Sequence, residues 1–257
     1  MRDPGLQEAI RVAGGMSELA RRLGISQPSI SDWQRIPAER VLSVEAATGV
    51  ARTVLRPDLF GEEIDPAIDE VDAARSQEYA LLATLLARSP DAAFLRRLAQ
   101  LRGDPSPLGM AHAALGEAAA HADVEQVGRE YFNLFVGVGR GELLPYASYY
   151  LTGFLYERPL ARLRGDLKRL GIQQAEGQCE PEDHAAILCE IMANLAGGKL
   201  DAPAGADREI FEKHMAPWIG RFFADLEQSP TANFYARVGA LGRTFIEIEA
   251  EAFALPT

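Results

Sequence analysis

Apolar positions recur along most of this chain every three or four residues, the period of a helix that buries one face, and nowhere with the alternation of a strand. Val127, Tyr131, Leu134 and Phe135 fall on one helical face, as do Trp218, Phe222 and Leu226. The longest stripe runs through Phe234, Val238, Leu241, Phe245 and Ile248. Breaks rich in glycine and proline at 103–109, 137–145, 171–181 and 197–205 divide the pattern into some six to nine helices. No repeat of fixed period is present, so the pattern predicts an all-α globular bundle rather than a solenoid.

One interruption is stronger than the rest. Between Arg56 and Pro66 the chain has two prolines, a glycine and four acids. The predicted organisation is a small domain over residues 1–60, a linker over 61–74 and a larger all-helical domain over 75–257.

The small domain carries a recognisable arrangement. Two short helices meet at Gly24, and Ser26 stands where it caps the second. Ala20 is small enough for a close crossing, Gly24 takes a turn that a side chain would strain, and Ile30 and Trp33 fill the wedge. A further helix from Pro37 ends at Gly49. Nearly all of residues 5–60 resembles the Cro-like, YdaS-type helix-turn-helix repressors. The resemblance implies that the second helix enters the major groove of operator DNA as part of a homodimer. Gln27, Ser29, Ser31, Asp32 and Arg35 are then its outward candidates. The other reading is a helix-turn-helix kept for packing or dimerisation, since this segment has no lysine and Asp32 opposes Arg35.

Composition narrows the choice of partner. At 257 residues, 47% hydrophobic and 25% charged, the chain is an ordinary globular protein with a formal net charge of -11. Residues 1–60 hold eight arginines against seven acids, whereas the remainder has 18 basic and 30 acidic residues. Such an acidic body repels nucleic acid and suits a basic peptide or protein. The start is amphipathic and no apolar run is long enough to span a bilayer, so the expectation is a cytoplasmic protein without a membrane partner. Cys179 and Cys189, ten apart, match no common zinc spacing and are expected to be thiols.

Two segments of the body stand out. The first runs from Glu130-Tyr131-Phe132-Asn133-Leu134-Phe135-Val136-Gly137 through a glycine-rich loop to Pro145-Tyr146-Ala147-Ser148. The second is Glu180-Pro181-Glu182-Asp183-His184, leading into an apolar helix. In this order and spacing they resemble the signatures of the TorD/DmsD family of molybdoenzyme chaperones, over roughly residues 75–250. The resemblance implies a chaperone that binds the twin-arginine leader or the apo form of a molybdoenzyme precursor and assists cofactor insertion before export. The client would be of the formate dehydrogenase or dimethyl sulfoxide/trimethylamine N-oxide reductase type. It also implies client-binding positions at Leu134, Phe135, Gly137, Pro145, Tyr146 and Ser148, with Glu180, Pro181, Asp183 and His184. The run Val136-Gly137-Val138-Gly139 departs from the Gly-Pro often found after the phenylalanine in that family.

The residues also have plain structural readings. A leader with two guanidiniums before an apolar run needs carboxylates beside an apolar groove, which Glu180, Glu182 and Asp183 can offer near Phe135 and Tyr146. Alternatively Pro181 opens a helix at its first position, and Glu182 and Asp183 favour the positive end of its dipole. His184, in a first turn, is expected neutral and hydrogen-bonded. No catalytic motif is present, and His112 and His121 face opposite sides of one helix. No enzyme activity, metal or cofactor is expected. The fusion motivates a second hypothesis, a transcriptional regulator whose body senses the client.

Overall fold

The computed structural model describes residues 3–56, 70–173 and 180–255. The chain divides into two compact units, Met1–Pro66 and Ala67–Thr257. The expected linker at 61–74 lies mostly outside the described residues.

The first unit contains α1 (Pro4–Ala13), α2 (Met16–Leu23), α3 (Gln27–Ser31), a 3-10 turn (Ala38–Arg40), α4 (Val41–Thr48) and α5 (Arg52–Leu55). Its helix ends follow local chemistry. The Asp3 side chain accepts from the Gly5 amide to cap α1, and Ser26 accepts from the Ser29 amide to cap α3. Gly24 ends α2 at a φ of 65°, in the left-handed region that admits glycine without strain. Leu6, Ala9, Leu19, Ala20, Ile30, Ile36, Val41, Val44 and Leu55 are buried together, with Trp33 packed against them. The wedge residues Ala20, Ile30 and Trp33 thus do the packing that their spacing requires.

The second unit has ten α-helices among the described residues, more than the six to nine expected because two are very short. They are α6 (Glu70–Ala87), α7 (Ala92–Leu98), α8 (Pro107–Ala120), α9 (Val124–Tyr131), α10 (Ala147–Thr152), α11 (Arg158–Arg169), α12 (Ala185–Ala196), α13 (Ala206–Ile210), α14 (Ile219–Gln228) and α15 (Phe234–Ala254). Helices α9 and α13 each run on into a π-helical turn, Phe132–Val136 and Phe211–Met215. No strand occurs among the described residues; one isolated bridge does, and it matters below.

Helix α12 is buried on almost every side, as a sequence apolar all round requires, and packs along α6. Helix α15 packs along α14 and against α8. Trp218, Phe222 and Leu226 are buried as their stripe predicts. The long stripe needs one correction: Ile248 is 42% exposed, and Glu249, at 2%, takes the inward place. The inward positions run Val238, Phe245, Glu249, because a 3.6-residue period reaches 249 rather than 248 after 245.

Glu249 is tolerated inside because it is fully engaged. Arg75 of α6 donates to it through Nε at 2.9 Å and Nη2 at 3.0 Å, and the Tyr79 hydroxyl donates at 2.9 Å. Arg75 also reaches Asp72 and Asp207, so one guanidinium ties α6 to α13 and α15. Burial opposes the Arg75 cation, but the bonds from Glu249, Asp72 and Asp207 outweigh it and raise the pKa.

Candidate functional site

The first signature segment is held in place by two glutamates that the motif itself does not single out. Glu130, in the last turn of α9, accepts backbone N–H groups from Asn233, Phe234 and Tyr235 at 2.7–3.2 Å, capping α15 from more than a hundred residues away. Glu142 accepts the hydroxyls of Ser229 and Thr231 beyond the end of α14. Between them Leu134 is fully buried, and Phe135 packs at a tilt on Tyr131 at 5.2 Å and edge-on to Tyr235 at 5.4 Å. Both residues serve packing.

The loop that follows folds back on itself. Leu143 donates to the Leu134 carbonyl at 2.8 Å and Glu142 to that of Asn133 at 3.1 Å. Gly137 turns the chain at a φ of 63°, and a Cβ there would stand 2.0 Å from the Arg140 carbonyl oxygen. Glycine is needed here for both reasons. The Val136-Gly137-Val138-Gly139 run therefore makes a closed turn without the proline found in the resembling family.

Two short backbone bonds then join the signatures. The Ala147 amide donates to the Asp183 carbonyl at 3.0 Å and the Ala185 amide to the Pro145 carbonyl at 2.8 Å, an antiparallel bridge centred on Tyr146 and His184. This bridge explains a departure from the expected helix start. Pro181 does not open α12 and Glu182 and Asp183 are not in its first turn. Residues 181–184 form a turn closed by the His184 amide on the Pro181 carbonyl at 3.0 Å, and α12 begins at Ala185.

His184 is the cap of α12 rather than a member of its first turn. Its Nδ1 accepts from the Ala186 amide at 3.1 Å, which requires that nitrogen to be unprotonated. Burial drives its pKa down to about 4, against the upward pull of Glu180 and Asp183. The expectation of a neutral, hydrogen-bonded imidazole agrees with this placement.

The three carboxylates of the second signature have three different fates. Asp183, 1% exposed, accepts both the amide and the hydroxyl of Ser148, at 2.8 and 2.5 Å. It caps α10 from the far side of the bridge and orders the junction. Glu182 is bound by Arg164 of α11 in a fork at 2.8–3.0 Å. Burial raises its pKa, but the Arg164 bonds outweigh that and hold it below its ordinary value. Glu180 is exposed and accepts the Tyr146 hydroxyl at 2.6 Å, while the Tyr146 ring packs edge-on to His184 at 4.9 Å. Of the three, Glu180 is the one presented at the surface.

Beside this junction is a hollow of about 390 Å³, lined in part by Ala147, Leu151, Pro159, Asp166, Asp183 and His214. Asp166 meets His214 Nε2 at 2.8 Å and Arg169 at 3.0 Å. The structure brings Pro145, Tyr146, Ser148, Glu180, Pro181, Asp183 and His184 together; Leu134, Phe135 and Gly137 support them from the preceding turn. Nothing local in the chain marks the roles of Glu130, Glu142 or Arg164, since each acts on a partner outside its own segment.

In the first unit Gln27, Ser29, Ser31, Asp32 and Arg35 are all exposed on or just after α3, a helix of only five residues. Arg11 pairs with Glu8, Arg21 and Arg22 with Glu18, and Arg52 with Glu45. These pairs are exposed, where an ion pair adds little to stability. Cys179 lies outside the described residues. Cys189 is fully buried, and burial pushes its thiol up to about 12. His112 meets Glu78 and His121 the Glu117 carbonyl, in separate places.

Fold and junction together define a helical bundle organised around two bridged loop signatures, with a helix-turn-helix unit before it. Residues 101–224 match the family described as nitrate reductase delta subunit, and residues 6–64 the family described as bacterial toxin YdaS. A chaperone protein TorD of Vibrio cholerae is 27% identical over 131 residues, 48% of this chain and 60% of that protein. The TorD of Shewanella loihica is 25% identical over 212 residues, covering 73% of this chain and 97% of the relative. The chain thus spans about three-fifths of the length of the Vibrio cholerae relative. A solved structure assigned as a redox enzyme maturation protein of Archaeoglobus fulgidus aligns with a TM-score of 0.48 at 18% identity, over 67% of this chain and 93% of that one. The body is accordingly similar to the TorD chaperones, and the first unit to the YdaS family.

Proposed function

We propose that this protein is a cytoplasmic chaperone that binds the twin-arginine leader, the apo form, or both, of one molybdoenzyme precursor and releases it for assembly and export. The observation that carries this reading is the bridge between the two signatures, which sets Glu180 at the surface over Tyr146. An exposed carboxylate next to an aromatic ring suits a guanidinium followed by apolar residues. The kinship with TorD chaperones supports the class of client. The role is one of holding, without a cofactor or a chemical step of its own.

A pull-down of the tagged full chain from its host, grown with molybdate, tests this. Mass spectrometry should identify one molybdoenzyme precursor, and Glu180→Lys should lose it while circular dichroism stays unchanged. Recovery of no such precursor by the unaltered protein overturns the reading.

A second role is compatible with the first. The YdaS match and the exposure of Gln27, Ser29, Ser31, Asp32 and Arg35 support operator binding by a homodimer, with the body sensing the client. Sequencing of DNA retained in the same pull-down tests it: Gln27→Ala with Arg35→Ala should abolish recovery of a discrete site.

A further inference from the structure

Helix α11 turns one face toward the hollow beside Asp183. Pro159, Arg162, Leu163 and Asp166 line it, at spacings of three and four that share a helical side. Ala147 and Leu151 of α10 add apolar wall, and the π-helical turn Phe211–Met215 brings Lys213 and His214 to the same space. With about 390 Å³, an apolar side and a few polar groups, the hollow has the size and make-up of a small-molecule site.

The charged groups of this wall are not equally committed. Asp183 is taken up by Ser148, and Lys213 by Glu209. Asp166 has His214 at 2.8 Å and Arg169 at 3.0 Å. Burial opposes the Asp166 charge, but those two bonds outweigh it and hold the pKa below its ordinary value. Asp166 is therefore a carboxylate, and His214 Nε2 donates to it.

Two functions are left over. The exposed Arg162 guanidinium has no hydrogen bond or ion pair among the described residues, and His214 Nδ1 has no hydrogen bond there either, although His214 is only 8% exposed. Among the described residues Glu78 Oε1 is the one sealed side-chain polar atom without a partner, so Nδ1 keeps contact with the hollow that His214 lines.

An unpaired guanidinium beside a ring nitrogen suits an oxyanion. With Nε2–H held by Asp166, Nδ1 takes a proton from solvent before it can donate, and Asp166 stabilises the imidazolium. Arg162, Asp166 and Arg169 of α11, Lys213 on the same turn, Glu209 of α13 and Asp183 at the junction are the charged groups gathered there. The two aspartates in the wall oppose a second negative charge, which favours a monoanion over a doubly charged phosphate. A carboxylate also matches the parallel N–H donors of arginine.

We propose that this hollow binds a small monocarboxylate with an apolar stem, its carboxylate forked on Arg162 and bonded to protonated His214, its stem against Leu151, Pro159 and Leu163. The site goes beyond the chaperone reading and does not rest on it.

The test is isothermal titration of the full chain with octanoate. Octanoate should bind at one site, and octanamide, of equal length without the charge, at least about tenfold more weakly. Arg162→Gln, at an exposed position, should keep the circular dichroism spectrum and weaken octanoate by a similar factor. Titrations near neutral pH in two buffers of different ionisation enthalpy should show proton uptake with octanoate. His214→Gln, whose amide can still donate to Asp166, should abolish that uptake; Arg162→Gln decides alone if this variant does not fold. Equal binding of octanoate and octanamide, or of octanoate by the unaltered protein and Arg162→Gln, overturns the proposal. So does the absence of octanoate binding at millimolar concentration, or of proton uptake by the unaltered protein. Tighter binding of octyl phosphate than of octanoate overturns it in favour of a phosphate group.

Discussion

Two buried carboxylates in the body meet the same physical demand in different ways. Glu249 lies against a cation: Arg75 takes both of its oxygens and Tyr79 adds a third bond. Asp183 has instead the amide and hydroxyl of Ser148. The first arrangement clamps three long-separated helices, and the second orders a loop junction. Breaking either from one side leaves a buried carboxylate short of partners, and splitting the clamp also removes the opposite charge that balances it.

The largest expected effect comes from splitting the clamp. Arg75→Met leaves Glu249 buried without its cation and should cost about 3–5 kcal/mol, read as a lower urea midpoint at unchanged slope. Adding Glu249→Leu should restore much of the loss; no restoration would show that the charge is not what the clamp balances.

Acid separates the two regions next. His184 is neutral in the fold down to about pH 4, whereas the unfolded chain takes up its proton near the ordinary value of 6.5. The unfolded state thus binds more protons between these values, and stability should fall from pH 6.5 to 4 by on the order of 3 kcal/mol. His184→Asn, which keeps a capping side chain, should flatten that slope in pH-dependent urea titrations. His112 contributes in the opposite sense. Its bond to Glu78 outweighs burial and raises its pKa, so its stabilisation is full below 6.5 and disappears as pH rises through the raised value. His112→Gln should therefore destabilise most at low pH.

Asp183→Asn sharpens the contrast on the junction side. It keeps the shape but turns one acceptor into a donor, and should cost about 1–3 kcal/mol. A double-mutant cycle with Ser148→Ala should show strong coupling; additive effects would mean that the bond does not order the junction. The smallest effect is in the helix-turn-helix unit, where Ser26 caps α3 from only three residues away. Ser26→Ala should cost about 1 kcal/mol, seen as a small downward shift in the thermal midpoint of that unit.

What could be read from the chain follows from the range of each interaction. The first unit was legible almost residue by residue, because Ser26, Gly24, Ala20 and Ile30 act within a few positions of one another. The body's helical stripes and breaks were legible for the same reason. Phe135 and Leu134 matched the signature yet belong to packing, and Asp183 matched it yet is enclosed at the junction. A motif records that a residue is required without saying whether it touches solvent.

Sequence alone therefore determined the all-α class, the two-part organisation expected on either side of a proline-rich break, and the two signatures whose spacing resembles the TorD family. These are carried by local periodicity, turn chemistry and short-range order. Only the tertiary structure decided that Glu130 caps a helix a hundred residues on, that Glu249 rather than Ile248 turns inward, and that Glu180 is the acid left at the surface. Each of those depends on which distant groups the packed helices bring within hydrogen-bonding reach, and on how much water they exclude, neither of which is written in the order of the residues.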